Sequence, residues 1–193
     1  SLIFTNTIKR KCYLDFEITK TLLETKRPDI AEIEMTLFEN CHLNCSFCHH
    51  DKKSTVGLSR EDIFSKLGLV EEHVIKMKGR VDVIQINMVG GELFQDRISE
   101  WAYPVYYDFI VAIKKIFDEH KQTLKVVWVT SFQFSKRDRV QKLLDDLNAA
   151  DIPSHIICSY DFDGRPTKGP YGKNIEHFAD YITSINMVAT TLS

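Results

Sequence analysis

The sequence lacks several features that would place it in a large class of proteins. Its 193 residues contain no apolar run long enough to cross a bilayer and no N-terminal signal-peptide pattern. We therefore expect a cytoplasmic protein that has no membrane partner. A net charge of only −2 gives no electrostatic case for nucleic acid as a partner. Internal repeats and low-complexity tracts are also absent, and the composition (44% hydrophobic, 27% charged) is that of an ordinary globular domain.

The cysteines do not form a pattern typical of disulfides. There are five, an odd number, and three of them fall within the eight residues 41–48. A disulfide framework would spread its cysteines along the chain. The cluster therefore indicates a metal site in a protein from a reducing compartment.

Short β-rich runs alternate with amphipathic helical patterns. Residues rich in Val, Ile and Thr predict strands at 33–38, 83–89, 124–131, 155–161 and 186–192. Apolar residues at three- and four-residue steps predict helices at 63–77, 110–117, 140–147 and 175–185. Ser59 is a plausible N-cap for the first helix. Such alternation predicts an α/β fold with a parallel sheet and helices outside it.

Alternation within the strands assigns their two faces. Ile84, Ile86 and Met88 share one face of the second strand, whereas Gln85 and Asn87 share the other. The first strand places Ile33, Met35 and Leu37 opposite Glu34 and Thr36 in the same way. We infer that the apolar set contacts the helices and the polar set lines an interior cavity, as in a barrel that opens to hold ligands.

The cysteine cluster follows the first strand directly. Cys41, Cys45 and Cys48 are separated by three and then two residues, and thiolates are the ligands that iron–sulfur clusters require. Three cysteines would leave the fourth iron of a cubane open to a substrate or cofactor. Structural zinc is the alternative, with His42, His49 or His50 as a fourth ligand. Zinc ribbons usually carry a second Cys-x2-Cys unit, and none is present.

This spacing, with Phe47 just before the last cysteine, resembles the signature of the radical S-adenosylmethionine (radical SAM) superfamily. The resemblance implies a [4Fe-4S] cluster on Cys41, Cys45 and Cys48, whose open iron binds S-adenosylmethionine. One electron, from a donor such as flavodoxin or ferredoxin, then cleaves this cofactor to a 5′-deoxyadenosyl radical that abstracts hydrogen from a substrate. It also implies that Phe47 helps to form the adenine wall.

A second motif ends the second strand. Two glycines at a strand terminus permit close approach of the backbone to a ligand, and a neighbouring carboxylate can accept from an ammonium group. Alone, Gly-Gly-Glu is more often just a turn. Gly90, Gly91 and Glu92 resemble the superfamily motif that binds the amino group of S-adenosylmethionine, in order and in distance from the cysteines. Family members often place proline next, where this chain has Leu93.

The ends of later strands supply further candidate site residues, because active sites of parallel barrels assemble at the carboxyl ends of the strands. Thr130 and Ser131 end the third strand, where ordinary packing competes with a role in the site. Ser159 and Asp161 share parity in the fourth strand and can both point inward. The stretch around them is similar to one that contacts the ribose or carboxylate of the cofactor in the superfamily.

The resemblance covers the chain from about residue 31 and implies a partial (βα) barrel of the radical SAM type with about five to six strands. We divide the chain into an N-terminal extension (1–30) and a core domain (31–193), and we expect the core domain to be incomplete at its C-terminus. The loop 163–174 resembles loops of peptide-modifying maturases, which favours a peptide or protein substrate. Modification of a nucleotide or nucleobase is an alternative, as is a non-catalytic zinc- or cluster-binding module.

Overall fold

The structure is a computed structural model of the chain, and it describes residues 29–43, 45, 47–160 and 169–187. Five strands form one parallel sheet in the order of the sequence. Their bounds are β1 Ile30–Thr36, β2 Val83–Val89, β3 Thr123–Thr130, β4 Ser154–Tyr160 and β5 Ile182–Met187. Within the described ranges β1 and β5 lie at opposite edges and do not pair with each other, so the sheet is an open, partial barrel.

Helices follow each of the first four strands. Their bounds are α1 Arg60–Phe64, α2 Leu67–Met77, α3 Ser99–Glu119, α4 Arg137–Ala149 and α5 Tyr171–His177, and a 3-10 turn spans Ala179–Tyr181. Ser59 caps α1 as predicted, since its side chain accepts a hydrogen bond from Asp62 N at 3.0 Å. None of the helices in the described part of the chain is both long and apolar enough to span a membrane.

The main hydrophobic core lies between the sheet and the helices. The predicted apolar face of β2 is confirmed, since Ile84, Ile86 and Met88 are fully buried in this core. Trp128 of β3 packs on the rings of Phe94 and Tyr106 at 5.6 and 5.5 Å between centroids. The sheet is therefore fixed from its helical side.

On β1 and β2 the opposite face of the sheet is polar, as predicted, whereas β3 contributes Val129 to the cavity there. Glu34 and Thr36 are exposed there. Gln85 Nε2 donates to Asn87 Oδ1 at 2.8 Å, and Asn87 Nδ2 donates to Glu32 Oε2 at 3.3 Å. These side chains form hydrogen bonds with one another across β1 and β2 and leave this half of the concave face hydrophilic.

The prediction for the last helix and strand was wrong in its boundary. Ile182 and Ile185 fit the helical spacing, but both lie in β5, because α5 ends at His177. Three of the six residues in 182–187 are β-branched (Ile182, Thr183 and Ile185), which suits a strand better than a helix. Residues 188–192 of the predicted strand lie outside the described residues.

Candidate cofactor site

A cavity of about 570 Å³ opens at the carboxyl ends of the strands. Its walls come from four places: the cysteine loop that follows β1, the loop after β2, the end of β3 and Ser159 of β4. Apart from Asp161, which lies outside the described residues, every predicted site residue lines this one cavity: Cys41, Cys45, Phe47, Cys48, Gly90, Gly91, Glu92, Ser131 and Ser159. Its volume is that of a typical pocket for a small molecule or cofactor.

The cysteine loop brings three free thiols to this cavity. Cys45 is buried, whereas Cys41 and Cys48 are half-buried. Within the loop, Leu43 N donates to Cys41 Sγ at 3.4 Å and Cys48 N donates to Cys45 O at 3.4 Å. Burial raises the pKa of the Cys41 thiol, so this side chain is protonated at neutral pH before any metal binds.

The thiols line one cavity, but their sulfur atoms are not arranged around a common point where a metal could bind. Among the described residues, no three Cys, His, Asp or Glu side chains are arranged to hold a metal ion. The donor set nevertheless suits an iron–sulfur cluster, because three thiols lie on one loop and face one cavity. A bound cluster would have to draw them together.

Glu92 is the buried charge of the site. It is 3% exposed, and its carboxylate accepts hydrogen bonds from neutral donors on both oxygens. Oε1 accepts from Thr130 Oγ1 at 2.6 Å and from Phe94 N at 3.2 Å. Oε2 accepts from Ser131 N at 2.8 Å and from the Ser131 hydroxyl. No basic side chain of the described part of the chain forms an ion pair with Glu92, so this wall of the cavity is anionic.

Gly90 and Gly91 bring the Glu92 loop against the cysteine loop. Gly91 N donates to Phe38 O at 2.8 Å. A Cβ at Gly91 would overlap the carbonyl oxygen of Asn40, and a Cβ at Gly90, whose φ is +147°, would overlap that of Phe38. These glycines therefore permit a close approach to the chain's own backbone, next to Cys41.

The other candidates lie at the rim. Ser159 is half-buried on β4, and the register pairs it with Asn186 of β5. Its neighbour Cys158 is buried on the helical side of the sheet, as strand parity predicts. His49 and His50 line the cavity from exposed positions, and His50 Nδ1 lies 3.7 Å from Glu39 Oε1.

The comparisons with known proteins give a likeness of structure only. No family model and no curated protein match the sequence. One solved structure, anSMEcpe with bound AdoMet (S-adenosylmethionine), aligns with 82% of this chain and 43% of its own at a TM-score of 0.53 and 13% identity. That protein is a radical SAM anaerobic sulfatase-maturating enzyme. The chain shares the fold of a radical SAM enzyme.

A second structure of the same enzyme, with AdoMet and the Cp18Cys peptide bound, aligns with 82% of this chain and 42% of its own at a TM-score of 0.49 and 14% identity. The alignment therefore covers less than half the length of either of these two structures. The first of these two likenesses, together with the open parallel sheet, confirms the predicted fold, a partial barrel of the radical SAM type.

Two buried amides that the sequence did not single out support the loops of the candidate site. Gln95 is fully buried, and its Nε2 donates to Asn40 O at 3.0 Å, directly before Cys41. The Asn40 side chain in turn donates to Ser54 O at 3.1 Å and ties the two ends of the cysteine loop together. Nothing in the local sequence distinguishes Gln95 from an exposed turn residue.

The second amide, Asn174, supports the loop that carries Ser131. Phe132 has a φ of 58°, an uncommon conformation for a residue other than glycine. The fully buried Asn174 donates to both Phe132 O and Phe134 O at 2.8 Å. Helix α5 thereby stabilises the turn that presents Ser131 to Glu92, a contact between residues about 40 positions apart that no local pattern indicates.

Proposed function

We propose that the chain is a radical SAM enzyme, an oxidoreductase-type catalyst that binds a [4Fe-4S] cluster and S-adenosylmethionine in the cavity at the strand ends. The observation that carries the proposal is the pairing of two features in one cavity. Three thiols of one loop face a buried carboxylate that has neutral hydrogen-bond donors and no basic partner in the described residues. The fold likeness supports it independently.

Cys41, Cys45 and Cys48 are the proposed ligands of the cluster. Three protein ligands leave one iron of a cubane open to the amino and carboxylate groups of the cofactor. When bound, the cluster and cofactor supply a reductively generated 5′-deoxyadenosyl radical for hydrogen abstraction. The proposed electron donor is a flavodoxin or ferredoxin, and the proposed location is the reducing cytoplasm.

Glu92 is the proposed acceptor of the cofactor's ammonium group. A cation that enters this wall of the cavity meets a carboxylate already oriented by Thr130 and Ser131, so little reorganisation is needed. Ser131 then acts mainly by holding Glu92. Phe47, Gly90, Gly91, Ser159 and Asp161 complete the proposed cofactor contacts along the cavity and beyond its described rim.

The proposed substrate is a peptide or protein side chain, and the sequence alone supports it. The loop that favours a peptide or protein side chain spans 163–174, and residues 161–168 lie outside the described residues. The nucleotide alternative rests on the superfamily alone. The proposed chemistry of the cofactor site is the same for both substrate classes.

Anaerobic reconstitution with iron and sulfide tests the function. We expect about four irons per chain and, after reduction with dithionite, release of 5′-deoxyadenosine from S-adenosylmethionine. Cys45→Ala should abolish both. Cys158→Ala is the matched control, because Cys158 is buried on the helical face and should leave both unchanged. Tightly bound zinc without iron in the wild-type protein would favour the binding module and contradict the proposal.

A further inference from the structure

Lys52 contacts the cysteine loop at two points. Its main-chain carbonyl accepts a hydrogen bond from Cys41 N at 3.3 Å, and its Nζ donates to Cys45 O at 3.1 Å. Lys52 thus links Cys41 to Cys45. Lys52 is half-buried and is not among the residues that line the cavity, so it contacts the loop from outside the cofactor site.

The ammonium group adds a positive charge to a site of negative charge. Three thiolates and the Glu92 carboxylate would surround a bound cluster, and a partly buried charge is screened by solvent less than an exposed one. The reduction potential of an iron–sulfur cluster depends on net charge and on hydrogen bonds near its ligands. A cation fixed at the Cys45 carbonyl stabilises the more negative, reduced state.

We propose that Lys52 is a positioning residue that closes the cysteine loop and raises the reduction potential of the cluster; this inference rests on the proposed function. In the step concerned, one electron passes from the donor to the oxidised cluster, the donor is oxidised, and no bond or proton changes. Lys52 acts on the equilibrium of that step through its charge, and on cluster retention through its two hydrogen bonds.

The next residue offers a matched control. Lys53 carries the same charge one position along the chain, but its side chain is exposed. Lys53→Met therefore removes one positive charge from the same segment without removing the contact to Cys45. A general effect of net charge on the cluster would appear in both Lys52→Met and Lys53→Met, whereas an effect of the Lys52 contact would appear in Lys52→Met alone.

Three substitutions separate the two roles of Lys52. Lys52→Met removes the charge and the donor, Lys52→Gln keeps a donor without the charge, and Lys52→Arg keeps both. Each reconstituted protein is titrated with dithionite against redox dyes to give the midpoint potential, and iron loss to a chelator is timed. Circular dichroism checks that each variant is folded.

The expected pattern is specific. Lys52→Met should lose iron about 10-fold faster and show a more negative midpoint potential, whereas Lys52→Arg and Lys53→Met should match the wild type in both. Lys52→Gln should retain iron better than Lys52→Met and keep the negative shift. If Lys52→Met folds but binds no iron, the positioning role is supported, and Lys52→Gln decides the role of the charge.

Other results overturn the inference. If the wild-type protein binds the cluster and both Lys52→Met and Lys52→Gln have the wild-type midpoint potential, the redox role is wrong. The proposed function would then still stand. An equal shift in Lys53→Met would assign the effect to net charge alone. A wild-type protein that assembles no iron would instead contradict the proposed function, and this inference with it.

Discussion

At the scale of single residues, Glu92 combines two properties that oppose each other. It is almost fully buried, which disfavours a charged carboxylate, yet all its described partners are donors that favour the charge. Thr130, Ser131 and Phe94 N–H therefore stabilise an anion without neutralising it. Such a carboxylate is ready to receive a cationic ligand.

Replacing Glu92 with Gln should weaken binding of S-adenosylmethionine by roughly 10- to 100-fold, because a hydrogen bond to a charged group contributes about 1.5–3 kcal/mol. The amide would also set its own donors against those of Ser131, so the melting temperature should fall. Affinity is measured by anaerobic equilibrium dialysis on reconstituted protein, well below that temperature.

Glu39→Gln is the matched control for Glu92. Glu39 lines the same cavity, but its side chain is 47% exposed and lies near His50. We expect its loss to change the affinity by less than about 5-fold, because exposed charge pairs contribute little. Equal effects of the two substitutions would show that Glu92 acts only through the net charge of the cavity.

Gly91→Ala should destabilise the protein by about 1–3 kcal/mol, because the added Cβ overlaps the Asn40 carbonyl and forces the two loops apart. Gly68→Ala is the control, since a Cβ there meets nothing within 4 Å and alanine favours the helix. Urea denaturation measures both. A Gly91→Ala protein as stable as the wild type would contradict the role assigned to the loop contact.

At this scale the sequence carries a signal only where the chemistry is local. The cysteines and the Gly-Gly-Glu motif could be singled out because their residue types and spacing carry the signal. Gln95, Lys52 and Asn174 could not, because their importance comes from hydrogen bonds to main-chain groups that the fold brings near. The sequence contains no local trace of those contacts.

At the scale of elements, the short helix α1 begins at a defined cap. Ser59→Ala should cost about 1 kcal/mol, because it leaves Asp62 N without its side-chain partner. Ser59→Asp keeps an acceptor and should restore most of that loss. Thermal unfolding compares the three proteins, and an unchanged melting temperature in Ser59→Ala would show that the cap contributes nothing.

Helix α5 should be coupled to the cofactor site through Asn174. Asn174→Ala leaves the carbonyls of Phe132 and Phe134 without this donor, so we expect a loss of about 1–3 kcal/mol in stability and weaker binding of S-adenosylmethionine. Asn148→Ala, which removes a long hydrogen bond at an exposed position, should stay within about 0.5 kcal/mol of the wild type. Stability loss with unchanged cofactor affinity would limit Asn174 to a structural role.

The elements themselves were largely predictable from periodicity. Strands β1 to β4 lie within three residues of their predicted bounds. The boundary between α5 and β5 was not, because Ile182 and Ile185 continue the three- to four-residue apolar spacing of the helix although both lie in the strand. Helix α3 begins at Ser99, earlier than its apolar pattern indicated, since its first turns contain Pro104 and bury the aromatic Tyr103 and Tyr106 beside smaller apolar residues.

At the scale of the whole molecule, the fold places four separate segments at one end of an open sheet. Parallel strands in sequence order bring the ends of β1 to β4 side by side, so motifs far apart in the sequence meet in one cavity. The helical face supplies the packing energy, and the concave face is polar on β1 and β2.

The measurement that tests the central claim most directly is the electron paramagnetic resonance spectrum of the reduced, reconstituted protein before and after S-adenosylmethionine is added. If Cys41, Cys45 and Cys48 leave one iron open, the cofactor should bind that iron and shift the spectrum. In Glu92→Gln the same shift should require a higher cofactor concentration. A spectrum unchanged at saturating cofactor would contradict the account, because every iron would then already have its full set of ligands.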